Sequence, residues 1–89
     1  MAKRSKLEIT RDILKIVQDY DGIKPTPLLR KSNLSSSRFK KYFSNLLNKK
    51  FVKEITGNDN KKMIFLTERG LKFLEKYKTI INFIEEFEL

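Results

Sequence analysis

The 89 residues allow one small domain, and with 39% hydrophobic and 35% charged content no apolar run nears the roughly 18 residues of a membrane span. Cysteine and histidine are both absent. That excludes disulfides and thiolate metal sites, and it removes the commonest general base and the commonest metal ligand. Lys and Arg outnumber Asp and Glu by 20 to 11, a net charge of +9, and a strongly basic small domain carries the electrostatic footprint of a nucleic-acid binder.

The first helix is expected over Lys6 to Tyr20. Ser5-Lys-Leu-Glu8 has the form of a capping box, with Ser5 bonding a backbone N–H near Glu8 and Glu8 reaching back. Leu7, Ile9, Ile13, Leu14, Ile16 and Val17 recur on one side, and Gly22 stands where the helix should stop. In Lys24-Pro-Thr-Pro-Leu-Leu-Arg-Lys-Ser32, Thr26 is expected to cap a short second helix. Pro27 would take its first position, where a missing N–H costs nothing, and Pro25 should prevent an earlier start.

Asn33-Leu34-Ser35 makes a turn, after which Ser35 or Ser36 caps a third helix reaching about Lys49. Phe39, Phe43, Leu46 and Leu47 form its apolar stripe. At about 100° per residue, Ser37, Arg38, Lys41, Ser44, Asn45 and Asn48 turn away from that stripe, with Lys40 and Tyr42 on its flanks. Phe51–Ile55 and Lys62–Leu66 are short and β-favouring, and Gly57, Asn58, Asp59 and Asn60 between them are turn formers. Thr67 can cap a last helix toward Leu89. Along it Phe73, Tyr77, Ile80, Ile84 and Phe87 form a heptad seam, widened by Leu71, Leu74, Ile81 and Phe83.

Helix, helix, helix, hairpin, helix is a mostly α arrangement with a small β-hairpin (α+β): a winged helix-turn-helix over residues 1–66 and a C-terminal dimerisation helix over 67–89. In that design the third helix enters the DNA major groove, while the hairpin reaches the backbone or minor groove. From Asn33 to Lys50 there is no carboxylate to repel a phosphate. Arg38, Lys41 and Asn45 are the expected groove contacts, with Lys40, Lys61 and Lys62 on the backbone; Ser37 and Asn48, with Arg38 and Asn45, could read base edges. Lys61 and Lys62 read almost equally as decoration of a turn, and Tyr42 reads as partial core. Lys3, Arg4 and Lys6 form either an arm along phosphates or a solubilising tail.

Charge is unevenly shared. Residues 1–62 hold sixteen Lys or Arg and six Asp or Glu, whereas residues 63–89 hold four and five. The near-neutral tail keeps Phe83, Ile84 and Phe87 beyond the point where the domain should be complete. Exposed together they would be a patch that soluble proteins avoid, and burying each is worth about 1.5–3 kcal/mol, so a homodimer is expected.

Lys-Arg-Ser-Lys-Leu-Glu-Ile at the start, through Asp12-Ile-Leu14, resembles the opening of small archaeal winged-helix DNA-binding proteins. So does the run from Asn33 to Lys49, and Ile64-Phe-Leu-Thr-Glu-Arg-Gly70 is similar to the end of the wing in many winged-helix regulators. Together these resemble the ten-kilodalton "a" class of Sulfolobus chromatin-associated proteins. The resemblance implies a homodimer joined through an antiparallel coiled coil of C-terminal helices, with two DNA-binding heads held apart. The expected partners are double-stranded DNA and a second copy, with no membrane, cofactor or small-molecule effector. A regulator or chromatin protein is expected, cytoplasmic and nucleoid-associated; MAKRSKLEI has no apolar signal core behind it, so nothing marks export. No catalytic role is expected; the rival is a winged-helix module that binds another protein instead of DNA.

Overall fold

The computed structural model describes residues 4–89, so Lys3 of the N-terminal arm lies outside the described residues. Six elements follow in order: α1 (Lys6–Tyr20), α2 (Pro25–Ser32), α3 (Ser36–Asn48), β1 (Val52–Thr56), β2 (Lys62–Leu66) and α4 (Glu68–Glu86).

α1 starts with the expected capping box. Ser5 Oγ accepts from the Glu8 N–H at 3.1 Å, and the Ser5 N–H donates to Glu8 Oε1 at 3.4 Å. It ends on Asp21 in the left-handed region, followed by Gly22 at φ 104°. Gly22 has a second reason to be glycine, because a Cβ there would sit 2.7 Å from the Phe65 ring.

α2 starts earlier than the sequence suggests. Lys24 is its N-cap and Pro25 its first residue, so Thr26 lies inside the first turn and caps nothing. The physical reason is that Pro25 and Pro27 both occupy first-turn positions, whose N–H groups lack helical acceptors anyway. The first helical bond runs from Leu28 N–H to the Lys24 carbonyl, 3.2 Å. Lys24, the residue before Pro25, takes the extended conformation that proline imposes on its predecessor.

α3 begins at the Ser35 cap, whose Oγ accepts from the Arg38 N–H. It closes in a Schellman turn: Phe51 N–H bonds the Leu46 carbonyl and Lys50 N–H bonds the Leu47 carbonyl, with Lys50 left-handed at φ 62°. Because Phe51 is spent on that closure, β1 begins one residue later than expected, at Val52. β1 and β2 pair antiparallel from Val52↔Leu66 to Thr56↔Lys62. Asn60 N–H to Gly57 O and Gly57 N–H to Lys61 O, with Asn60 at φ 62°, make the tip a three-residue bulged hairpin. The wing is fastened at its base by Ile23, which exchanges two backbone bonds with Ile64 at 3.0 and 2.8 Å.

The core gathers Ile9, Ile13, Leu14 and Val17 of α1 with Ile23, Leu28, Phe39, Leu46, Val52 and Ile64. Leu7 departs from expectation and stays exposed; it takes no part in the core cluster, so the stripe of α1 runs past what covers it. Thr67 secures α4 twice: its Oγ1 accepts from Gly70 N–H at 3.0 Å and donates to the Lys50 carbonyl at 2.6 Å. Gly70 is buried so tightly that a Cβ would collide with the Phe51 carbonyl oxygen and lie 2.7 Å from Leu66 Cδ1. Phe73 and Leu74 pack against the core, the Phe73 ring 5.2 Å from that of Phe51. Beyond them Ile80, Phe83 and Phe87 are 52%, 54% and 58% exposed. The first turns of α4 thus belong to the head, and the rest projects along a molecule 51 Å long and 21 Å thin.

Candidate nucleic-acid interface

The apolar stripe of α3 is drawn into the core by Phe39 and Leu46, which fixes the opposite face outward. Ser37, Arg38, Lys40, Lys41, Ser44 and Asn48 are exposed, and Asn45 is half-buried. Arg38, Lys41 and Asn45, at offsets of three and seven along the helix, share one side. With Tyr42 and with Lys6 from the first turn of α1 they line a hollow of about 620 Å³. Among the described residues none of Arg38, Lys40 and Lys41 takes part in an ion pair. Unneutralised cations on a carboxylate-free face are what a polyanion requires.

The chemistry is that of hydrogen-bond donors. A guanidinium fork suits the O6 and N7 acceptors of guanine, an amide can match adenine, and an ammonium serves a phosphate as a point charge. Tyr42 is both partial core, as expected, and part of the hollow's wall. Lys6 is the member that sequence reading leaves in the N-terminal arm. Its place at the first position of a capped helix is the local signal, but only the packing of α1 against its neighbours sets it beside α3.

The other expected contacts are placed differently. At the wing tip Lys61 and Lys62 are exposed, and Lys61 Nζ stands 3.9 Å from the Asp59 carboxylate, which offsets part of its charge. Arg4 faces inward along the chain: its guanidinium donates to Asp12 Oδ2 at 2.9 Å and to the Ser32 carbonyl at 3.0 Å. α2 adds cations absent from the expected set, since Lys24, Arg30 and Lys31 are exposed and the carboxylate-free stretch extends from Gly22 to Lys53. The C-terminal seam divides likewise. Phe73 is engaged with its own head, Tyr77 and Ile84 are half-buried, and Ile80 and Phe87 face water. A second hollow of about 470 Å³ lies between α1 and α4, walled by Arg11, Lys15, Leu71, Tyr77, Lys78 and Ile81. Among the described residues no cluster of His, Cys, Asp or Glu could hold a metal, and no helix is long and apolar enough to cross a membrane.

A helical turn pair, an outward third helix and a wing pinned beside it define a winged helix-turn-helix, and the chain belongs to that family, which it matches over residues 3–85. No curated protein sequence is similar enough to count as a relative. Among solved structures, the chain is similar to Sso10a-2, a DNA-binding protein from Sulfolobus solfataricus. That likeness has a TM-score of 0.78 at 21% identity, over 96% of this chain and 86% of the other. It is also similar to SSV1 F-93, with a TM-score of 0.68 at 28% identity, over 89% and 91%. MepR, a transcription regulator of a Staphylococcus aureus multidrug efflux pump, matches with a TM-score of 0.76 at 20% identity. There the alignment takes in 89% of this chain but only 60% of MepR. The archaeal neighbours agree with the class that the sequence resembles.

Proposed function

We propose that this protein binds duplex DNA as a homodimer, α3 of each copy entering the major groove and the wing resting on the backbone or minor groove, as a transcriptional regulator or nucleoid protein of the cytoplasm. The observation that carries the reading is the α3 face. Arg38, Lys41 and Asn45 converge with Lys6 on one hollow, and no carboxylate accompanies them. The solved neighbours support it, because one is a DNA-binding protein and another a transcription regulator.

Pairing is supported by the exposed end of α4 and by how its charge is ordered. Arg69, Lys72, Lys76 and Lys78 outnumber Glu68 and Glu75 in the first part of the helix, whereas Glu85 and Glu86 at its end and Glu88 just beyond have no base among them. Two such helices crossing in opposite directions set acid against base, whereas a parallel pair would set like against like.

The test is a gel-shift titration of random duplex DNA with the parent and with the double variant Arg38→Glu, Lys41→Glu. Both side chains are exposed, so the variant should keep its thermal transition and lose DNA retardation. Retardation equal to the parent's would refute the assignment of this face. Competition between random and selected duplexes separates a regulator from an architectural binder, since a specific binder gains about 10³-fold or more on its site.

A further inference from the structure

We infer that Arg4 is a positioning residue for DNA binding: its guanidinium ties the turn between α2 and α3 to α1 and so sets the direction in which α3 meets the duplex. This rests on the DNA-binding reading above, and it reverses what a cationic N-terminal arm would be expected to do.

The geometry is specific. One Arg4 nitrogen donates to Asp12 Oδ2 at 2.9 Å and the other to the Ser32 carbonyl at 3.0 Å, across 28 residues of chain. Asp12 is held from its other oxygen by Arg11 at 3.1 Å. Ser32 is the last residue of α2, so its carbonyl is one of those a helix leaves without a partner, at the negative end of the helix dipole. Arg4 supplies that partner from outside the helix. The Ser32 side chain completes the turn: it is almost fully buried, its Oγ donates to the Leu29 carbonyl at 2.6 Å, and it accepts from the Leu34 N–H at 3.3 Å. Asn33 takes the left-handed conformation between the two helices. Three separate pieces of chain therefore meet at one planar fork. A lysine there could satisfy one acceptor but would lack the fixed second donor.

A phosphate contact and a strut respond oppositely to chemistry that keeps the charge. The experiment measures duplex affinity against salt for Arg4→Lys, Arg4→Gln, Asp12→Asn and the Arg4→Lys, Asp12→Asn double, together with hydrogen exchange of the Leu34 amide in the protein alone. A strut predicts that Arg4→Lys weakens binding about threefold with the salt slope unchanged, as befits part-exposed charge-assisted bonds. Asp12→Asn should weaken it as well, although removing an acid from a DNA binder would by charge alone strengthen it. The double variant should be no worse than either single one, and Leu34 exchange should quicken in all of them. The inference is overturned if Arg4→Lys binds like the parent while Arg4→Gln lowers the slope by about 1.8, the signature of one phosphate contact in each of two heads. Tighter binding by Asp12→Asn overturns it too. Should the parent bind no duplex at all, the functional reading fails by itself. Unchanged Leu34 exchange in Arg4→Lys would overturn the strut whether or not DNA binds.

Discussion

Replacing Phe83 by serine should separate two copies while leaving each head folded. Phe83 is 54% exposed and packs on its helix neighbour Phe87, with ring centroids 4.9 Å apart. A phenylalanine offers roughly 200 Å² for burial, so about 100 Å² of this one faces water. At about 25 cal/mol per Å² a partner covering it gains about 2.5 kcal/mol, and two symmetric copies about 5 kcal/mol. Loss of both would raise the dimer dissociation constant by about three and a half orders of magnitude. Sedimentation equilibrium reads this directly. Phe73→Ala is the internal contrast: that ring lies against Phe51 of its own head, so this change should lower the melting temperature and leave self-association nearly intact. If Phe83→Ser dimerised with the parent's constant, or if the parent itself sedimented as a monomer, α4 would not be the pairing surface.

Two further changes probe the head. Gly70→Ala should destabilise by about 1–3 kcal/mol, because the added carbon meets a backbone carbonyl that cannot move aside; in a domain of this size that is a fall of about 4–8 °C per kcal/mol by calorimetry. An unshifted transition would mean that α4 is not anchored against Phe51 as described. Asp59→Asn removes the carboxylate 3.9 Å from Lys61. With the wing on the phosphate backbone, affinity measured by fluorescence anisotropy should rise about twofold at low salt and the gain should shrink as salt screens it; an unchanged constant at every salt would take the wing tip off the DNA.

Much of this was legible in the residues because local rules and tertiary packing agree. Ser5 with Glu8 marks where α1 begins, and the four-residue spacings of Ile9, Ile13 and Val17 mark what it buries. Ser35 and Thr67 each stand one residue before a helix and cap it. The start of α2 was less legible because two prolines permit a first turn as readily as they break one, and only the chain path chooses. The strand boundary at Val52 depended on the Schellman closure of α3 through Lys50, a residue with no intrinsic taste for the left-handed region. At the site, the face of α3 was readable from helical spacing alone. What spacing cannot give is partnership at long range. Arg4 and Ser32 are 28 residues apart, the Lys6 neighbourhood is created by packing, and nothing in the heptad pattern distinguishes Phe73, held by its own head, from Phe87, which faces water.

The most direct test of the central claim is the salt dependence of duplex binding. Two heads, each neutralising three phosphates through Lys40, Lys61 and Lys62, give a slope of log K against log salt of about −5. A slope near that value in the parent, with no measurable association left in the Arg38→Glu, Lys41→Glu variant, is the result the account predicts. Salt-independent association, or a slope that survives charge reversal on α3, would contradict it.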